Sequence, residues 1–231
     1  MAQGAAMSVL HQSGLSVPLE NFLRILRAMR ELKWEMFGCL GLTLLLLLWS
    51  AIEPKDRFTW LLEVLPVLVG IPILWFTAAS FPLTPLTYGL LTIHAVILMV
   101  GGHYTYAEVP LGFWMQDLLD LGRNHYDRLG HFAQGGVPAI LTREILLRRS
   151  PLVPGKWTFF LVTAVCLAFS ASYELFEWIT ARATGEAATA FLGPQGDEWD
   201  TQWDMFLALI GAVTSQIAFQ AIHDRQLANM Q

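Results

Sequence analysis

The sequence predicts an all-α integral membrane protein, a polytopic helical bundle with about six transmembrane helices. Of the 231 residues, 55% are hydrophobic and only 14% are charged, whereas soluble chains carry about 25% charged residues. Long apolar runs alternate with short polar turns, which is the pattern of consecutive membrane spans. The sequence shows neither a strand pattern nor an internal repeat. We therefore expect a single helical domain over residues 34–231.

Six segments are the predicted spans: residues 34–52, 59–79, 85–102, 125–147, 157–182 and 200–222. The fourth is only moderately apolar, so it is expected to be buried among the other helices. Residues 1–17 are predicted to be a flexible tail. Residues 18–33 repeat apolar and basic side chains at helical spacing, which predicts an amphipathic helix on the membrane surface. An extension of the first span is an equal alternative for that segment.

Basic residues set the predicted orientation. With six spans and a cytoplasmic N-terminus, nine of the fourteen Lys and Arg residues lie on the cytoplasmic side and five on the other. Cytoplasmic loops of membrane proteins carry an excess of Lys and Arg. Both termini are therefore predicted to be cytoplasmic. The chain lacks a basic patch for nucleic acid, and membrane lipids are its expected partners.

Carboxylates stand near the ends of the last two predicted spans. Glu174 and Glu177 are three residues apart, and Asp200 and Asp204 are four apart, so each pair shares one helix face. A charged side chain at the centre of a membrane helix costs about 2.5–3.5 kcal/mol. These side chains are therefore expected to face the bundle interior.

Counting helical rise brings further polar residues to the same level. At 1.5 Å per residue, four of them lie about 26–28 Å from the predicted cytoplasmic ends of four different helices: His103, His131, Glu174 and Asp204. The hydrocarbon core is about 30 Å thick. Asp127 and Arg128 precede His131 by about one turn. The sequence thus predicts one polar pocket at the outer membrane boundary.

Three interpretations of this pocket stay open. It is a structural salt-bridge network, in which Arg128 neutralises carboxylates. It is a metal site, because His and carboxylates at helical spacing build metal centres in bundles, and a divalent metal ion is then the cofactor. Or it is an acid–base or ligand-binding site, since clustered carboxylates shift one another's pKa.

Each role has its candidate residues. The acid–base candidates are Glu174, Glu177, Asp200 and Asp204. The metal-ligand candidates are those four carboxylates together with His103 and His131. The ligand-binding candidates are Tyr104, His125, Asp127 and Arg128, in which the Arg128 and His125 side chains would hold an anionic group.

Four unusual segments resemble the YjdF-type family of bacterial inner-membrane proteins: residues 102–106 (GHYTY), 123–135 (RNHYDRLGHFAQG), 173–178 (YELFEW) and 196–205 (GDEWDTQWDM). The resemblance runs from about the first span to the C-terminus. It implies an inner-membrane location and a multi-span helical fold, and it supplies no reaction.

The last two spans are also similar to VanZ-type membrane proteins, in which a Glu-bearing helix precedes an Asp-rich start of a small-residue helix. That likeness favours a role with envelope lipid or glycan at the outer face. The resulting hypothesis is a protein that binds or processes a polar or lipid-linked envelope ligand, with metal dependence as one version. The alternative is a transporter or a non-catalytic membrane subunit whose polar cluster is structural.

Overall fold

In a computed structural model, the structure describes residues 19–184 and 197–230, with side chains from Trp34 onward. This part of the chain is helical and contains no strand. Its α-helices are α1 (Leu19–Ser50), α2 (Arg57–Thr77), α3 (Pro85–Tyr104), α4 (Pro110–Leu119), α5 (Tyr126–Arg149), α6 (Lys156–Thr184) and α7 (Asp200–Ala228). A 3₁₀ turn, Tyr106–Glu108, joins α3 to α4. The all-α prediction is confirmed for these residues.

Four helices are long and apolar enough to cross a membrane: α2, α3, α6 and α7. The apolar part of α1, Trp34–Ser50, is shorter, and α5 is not in this set of the described helices. The predicted tail 1–17 lies outside the described residues. The segment predicted as an interfacial helix or an extension of the first span belongs to α1, which continues through it without a break.

The stretch between the third and fourth predicted spans, to which the sequence assigned no helix, is partly helical. It contains α4, which begins at Pro110 and ends where Asp120 adopts a left-handed conformation, φ 51°. Proline is favoured in a first helical turn because its missing N–H has no helical partner there. The proline and the polar residues around this short helix masked it in the sequence.

Helix α5 lies at the centre of the bundle. It packs against α3, α6 and α7, and twelve of its 24 residues are buried. Its modest hydropathy therefore reflects contact with protein, as the sequence predicted. Its closest neighbour is α7: a Cβ added at Gly135 would collide with the Ala208 carbonyl, and one at Gly211 with the Phe132 carbonyl. Small residues allow such backbone approach between membrane helices.

Helices α1 and α2 pack on α3, on the other side of the bundle. Within the described residues, α2 makes at most marginal contact with α5 and with α6. The bundle is therefore joined mainly through the α3–α5 contact. This arrangement leaves space between α2 and the α5–α6 pair, and a cavity occupies that space.

One fully buried carboxylate ties three helices together near the end of α5. The Glu144 side chain is 0% exposed and accepts hydrogen bonds from both the backbone N–H (2.9 Å) and the hydroxyl (2.8 Å) of Thr84. The Thr87 hydroxyl (2.7 Å) and Arg148 Nη1 (2.6 Å) donate to it as well. His223 from α7 lies 3.2 Å away. We call these residues, with Arg143, the Glu144 network.

The hydrogen-bond geometry of this network determines which ring nitrogen of His223 carries the proton. Arg143 Nη1 lies 3.0 Å from His223 Nδ1, and a guanidinium can only donate. His223 Nδ1 therefore accepts, and the proton of the neutral ring resides on Nε2, which donates to Glu144 Oε2. The other terminal nitrogen of Arg143 bonds Asp224 at 2.6 Å. Every charge in the network thus has a partner.

We predict that Glu144→Ala lowers the free energy of unfolding by about 3–5 kcal/mol, because it leaves buried donors and a charge without their partner. The measurement is thermal unfolding of detergent-purified protein. Glu35→Ala, at an exposed position on α1, is the control and should change the midpoint little. Equal melting of the two variants would contradict the structural role of Glu144.

Candidate functional site

A second group of ionisable side chains lies near the opposite end of α5. It comprises Asp127 and His131 on α5, Glu174 and Glu177 on α6, and Asp204 on α7, and we call it the acid cluster. His131 is at its centre: its Nε2 lies 3.4 Å from Asp127 and 3.7 Å from Asp204, and its Nδ1 lies 3.8 Å from Glu174. The structure thus brings together five of the predicted site residues.

Three buried atoms of the acid cluster have no hydrogen-bond partner: His131 Nδ1, Glu174 Oε1 and Asp204 Oδ1. Their side chains belong to residues that are 7%, 8% and 4% exposed, respectively. Roughly 90% or more of buried polar groups in proteins are hydrogen-bonded. The acid cluster therefore differs from the Glu144 network, whose central carboxylate is fully bonded. Open hydrogen-bonding capacity of this kind is met by a water molecule, a ligand or an ion.

The chemistry of the acid cluster suits a divalent cation. Two overlapping sets have all their ligand atoms within 4.8 Å of one another: Asp127, His131 and Asp204, and His131, Glu174 and Glu177. Helical bundles build carboxylate-rich metal centres from residues at this spacing. Imidazole and carboxylate ligands accept borderline and hard cations.

Glu63 and Tyr106 extend the polar group toward α2. Glu63 on α2 is buried and hydrogen-bonds the Tyr106 side chain. Burial, and then the charge of Glu63, raises the pKa of Tyr106 well above its ordinary value, so its hydroxyl stays a donor. Gly101 and Gly130 make room for the Tyr106 ring, because a Cβ at either would collide with it.

The sequence did not assign Tyr106 a role in the site. The sequence feature that marks its position is the pair Gly101 and Gly130, which flank the ring. These glycines belong to different helices, so the sequence does not show that they are neighbours. Thr105 precedes the tyrosine with a left-handed backbone, φ 64°. That turn directs the ring back toward the bundle, and it has no recognisable sequence pattern.

Two arginines form a separate cluster beside the start of α7. Arg123 contacts Asp200 at 2.7 Å and Asp197 at 3.4 Å, and Arg128 contacts Asp197 at 3.0 Å. The Arg128 guanidinium also lies over the Trp203 ring, 5.1 Å from its centroid. We call these four ionic residues the arginine cluster. Two of its residues, Asp200 and Arg128, were predicted for the site. Arg123 was not among the predicted site residues.

Three further candidates lie outside the acid cluster. The His103 ring stacks on Trp49 at 4.6 Å, and its Nδ1 contacts the Ser50 carbonyl at 3.1 Å. Tyr104 packs edge-on against His103. His125 precedes α5, where burial, and then the charges of Arg128 and Arg123, lowers its pKa. Counting helical rise predicted His103 at the level of His131, Glu174 and Asp204, but it could not show that His103 faces α1.

A cavity of about 450 Å³ opens beside the acid cluster. Its polar wall contains Glu63, Tyr106, Asp127, His131, Tyr173, Glu177 and Asp204. The remaining wall is largely apolar and comes from α1, α2, α3, α5 and α6. His94 on α3 also lines the cavity, and its Nε2 is a buried atom without a hydrogen-bond partner.

A helical bundle with apolar spanning helices and a buried ionic site defines an integral membrane protein. Residues 36–225 match the family described as "Predicted membrane protein (DUF2238)", and the chain belongs to that family. It is 53% identical over 199 residues to "Inner membrane protein YjdF" of Escherichia coli (strain K12). The aligned residues make up 86% of this chain and 95% of that relative. No solved structure matches the chain.

Two Asp→Asn substitutions one helical turn apart should show how differently the arginine cluster and the acid cluster contribute to stability. Asp200→Asn removes the charge of the closer of the two Arg123 partners, which should lower the free energy of unfolding by about 1.5–3 kcal/mol. Asp204→Asn removes a crowded, incompletely bonded carboxylate and should leave the melting midpoint unchanged or raise it. Thermal unfolding of both purified variants is the measurement. A larger loss for Asp204→Asn than for Asp200→Asn would identify the acid cluster as structural.

Proposed function

We propose that this chain is a bacterial inner-membrane protein that binds a polar or lipid-linked envelope ligand at the acid cluster, with the help of a divalent metal ion. In this proposal the chain crosses the membrane six times, α1 through its apolar part and α5 at the bundle centre. Both termini are cytoplasmic, and the acid cluster lies at the outer boundary.

The observation that carries the proposal is the unmet bonding of buried His131, Glu174 and Asp204. The acid cluster holds four carboxylates and one imidazole, so a divalent cation would offset their mutual repulsion. Structural networks in membrane interiors are expected to satisfy their own groups, as the Glu144 network does. A site prepared for an additional group explains the difference.

Roles within the site follow from exposure to the cavity. His131, Asp127 and Asp204 form one candidate ligand set for the ion, and a bound ion would polarise the ligand's oxygen atoms. Glu177 lines the cavity and is less buried than Glu174. It is placed to exchange a proton with a ligand there. The arginine cluster holds the start of α7 and so positions Asp204 one turn further along.

Impermeant maleimide labelling in intact cells tests the orientation. In a variant whose two native cysteines are replaced by serine, Asp117→Cys on α4 should react from outside the cell. A cysteine in place of Gln226, near the end of α7, should react only after the membrane is permeabilised. Protection of Cys at position 117 in intact cells would overturn the proposed topology.

Metal-dependent stabilisation tests the site. Adding Mn²⁺ or Zn²⁺ to chelator-treated, purified protein should raise the melting midpoint, because binding to the folded state alone stabilises it by about 2.7 kcal/mol at 100 times Kd. His131→Gln combined with Asp204→Asn should abolish this rise, because it removes two ligands.

Asp200→Asn is the matched control, since Asp200 belongs to the arginine cluster: its melting midpoint is expected to be lower, yet the metal-dependent rise should persist. Metal analysis of the untreated protein gives an independent readout. If neither ion shifts the wild-type midpoint and no metal copurifies, the metal-dependent proposal is wrong.

The alternative is a transporter or a non-catalytic membrane subunit in which the polar groups lock helices together. The arginine cluster supports a structural role for part of the polar region, because its charges pair at 2.7–3.4 Å. The acid cluster supports it less, because its His131 is 3.4–3.8 Å from the carboxylates around it and one buried atom of each of His131, Glu174 and Asp204 has no hydrogen-bond partner. The comparison of Asp204→Asn with Asp200→Asn decides between the two.

A further inference from the structure

We infer that the ligand is a lipid whose apolar chain enters the cavity sideways from the bilayer and leaves its head group beside His131. This inference deepens the proposed function and depends on it for the role of the acid cluster. It adds the class of ligand and the route of access. Two features of the cavity support it, the order of its walls and the position of its opening, and the free space at Gly70 allows a test.

The walls change from polar to apolar along one direction. On α2, Glu63 stands at the polar end and Trp75 at the apolar end, which separates them by about 18 Å along the helix axis. The polar end is the acid cluster with Tyr106. The rest of the wall is mainly apolar, with residues such as Leu74, Leu91 and Leu98, and its isolated polar side chains on α1 and α3 are Thr43, Tyr88, Thr92 and His94. This order matches an amphiphile: a head group that bonds polar atoms and a chain that buries apolar surface.

The cavity reaches the lipid-facing flank of the bundle. Val69 and Ile73 on α2 and Phe169 on α6 all line it, yet they are 50%, 56% and 52% exposed. Val69 lies about 18 Å from the start of α2, and Phe169 about 20 Å from the start of α6. Both are therefore well inside a hydrocarbon core of about 30 Å.

An opening at that depth faces acyl chains and so favours a ligand with an apolar chain. The marginal contact of α2 with α5 and α6 gives the gap, and its apolar rim favours the passage of a hydrocarbon chain. A wholly polar ligand that entered by this route would have to cross the apolar rim without hydrogen-bond partners, which is unfavourable by several kcal/mol per group. A membrane lipid meets no such barrier.

Gly70 provides a variant that fills the cavity without disturbing the acid cluster. It lines the cavity, and a Cβ added there meets no atom within 4 Å. Gly70→Leu therefore places a branched side chain in the chain-binding space. Gly41 on α1 likewise has nothing within 4 Å of an added Cβ and is not a wall residue of the cavity, so Gly41→Leu is the matched control.

The experiment uses the full chain in nanodiscs doped with a photoactivatable lipid. The probes are a phosphatidylethanolamine with a diazirine in one acyl chain and a polyprenyl phosphate with a diazirine in its chain. Crosslinked residues are mapped by mass spectrometry. We expect adducts on cavity residues such as Leu98 and Leu141 with at least one probe, and the comparison of the probes shows which type of lipid binds.

In Gly70→Leu, adducts at these positions should fall roughly tenfold, the effect of excluding about two CH₂ groups from the cavity. Gly41→Leu should label like the wild type. Adducts confined to outward-facing residues such as Phe76, or equal cavity labelling in both variants, would overturn the inference.

Metal-dependent melting of the same variants separates this inference from the proposed function. Gly70→Leu should keep the full rise with Mn²⁺ or Zn²⁺, since Gly70 is not part of the acid cluster. If the metal-dependent rise is retained but no cavity residue is labelled, the lipid inference is wrong and the metal proposal stands. If neither ion stabilises the protein but cavity residues are labelled and Gly70→Leu abolishes this labelling, the lipid inference is supported and the metal-dependent proposal is wrong.

Discussion

The close approach of α5 and α7 is the contact on which the polar architecture depends. Gly135 and Gly211 let the two backbones touch, as each glycine lies against a carbonyl of the other helix. Side chains to either side of this contact are therefore held within reach of one another. Toward one end His131 meets Asp204, and toward the other Glu144 meets His223. A larger residue at either glycine would separate both pairs at once.

The two polar centres respond differently to the same constraint. Lipid offers no hydrogen bonds, so buried ionic groups must find partners within the protein. The Glu144 network meets this requirement with threonine, arginine and histidine donors from three helices. The acid cluster leaves buried atoms of three side chains unbonded beside a cavity. Because both centres use α5 and α7, this difference reflects side-chain choice and not the fold.

Much of the fold and part of the site could be predicted from the sequence. Apolar runs located the helices, and helical rise placed His131, Glu174 and Asp204 at one level. Rise does not determine which way a side chain faces, so His103 was grouped with residues that it does not contact. The pairing of Arg123 with Asp200 depends on a loop conformation, and Glu144 looks like an ordinary helix-end charge next to Arg148. Such contacts arise from tertiary packing, which periodicity does not encode.

The acid cluster borders the cavity because α2 makes at most marginal contact with α5 and α6. Had α2 closed against α6, Glu63 and Glu177 would face each other across a dry interface, and two carboxylates there would repel at high cost. The gap leaves both groups at the cavity wall and leaves the apolar part of the cavity open to the bilayer flank. A carboxylate-rich site in a membrane interior and an opening toward lipid are thus consequences of the same incomplete helix packing.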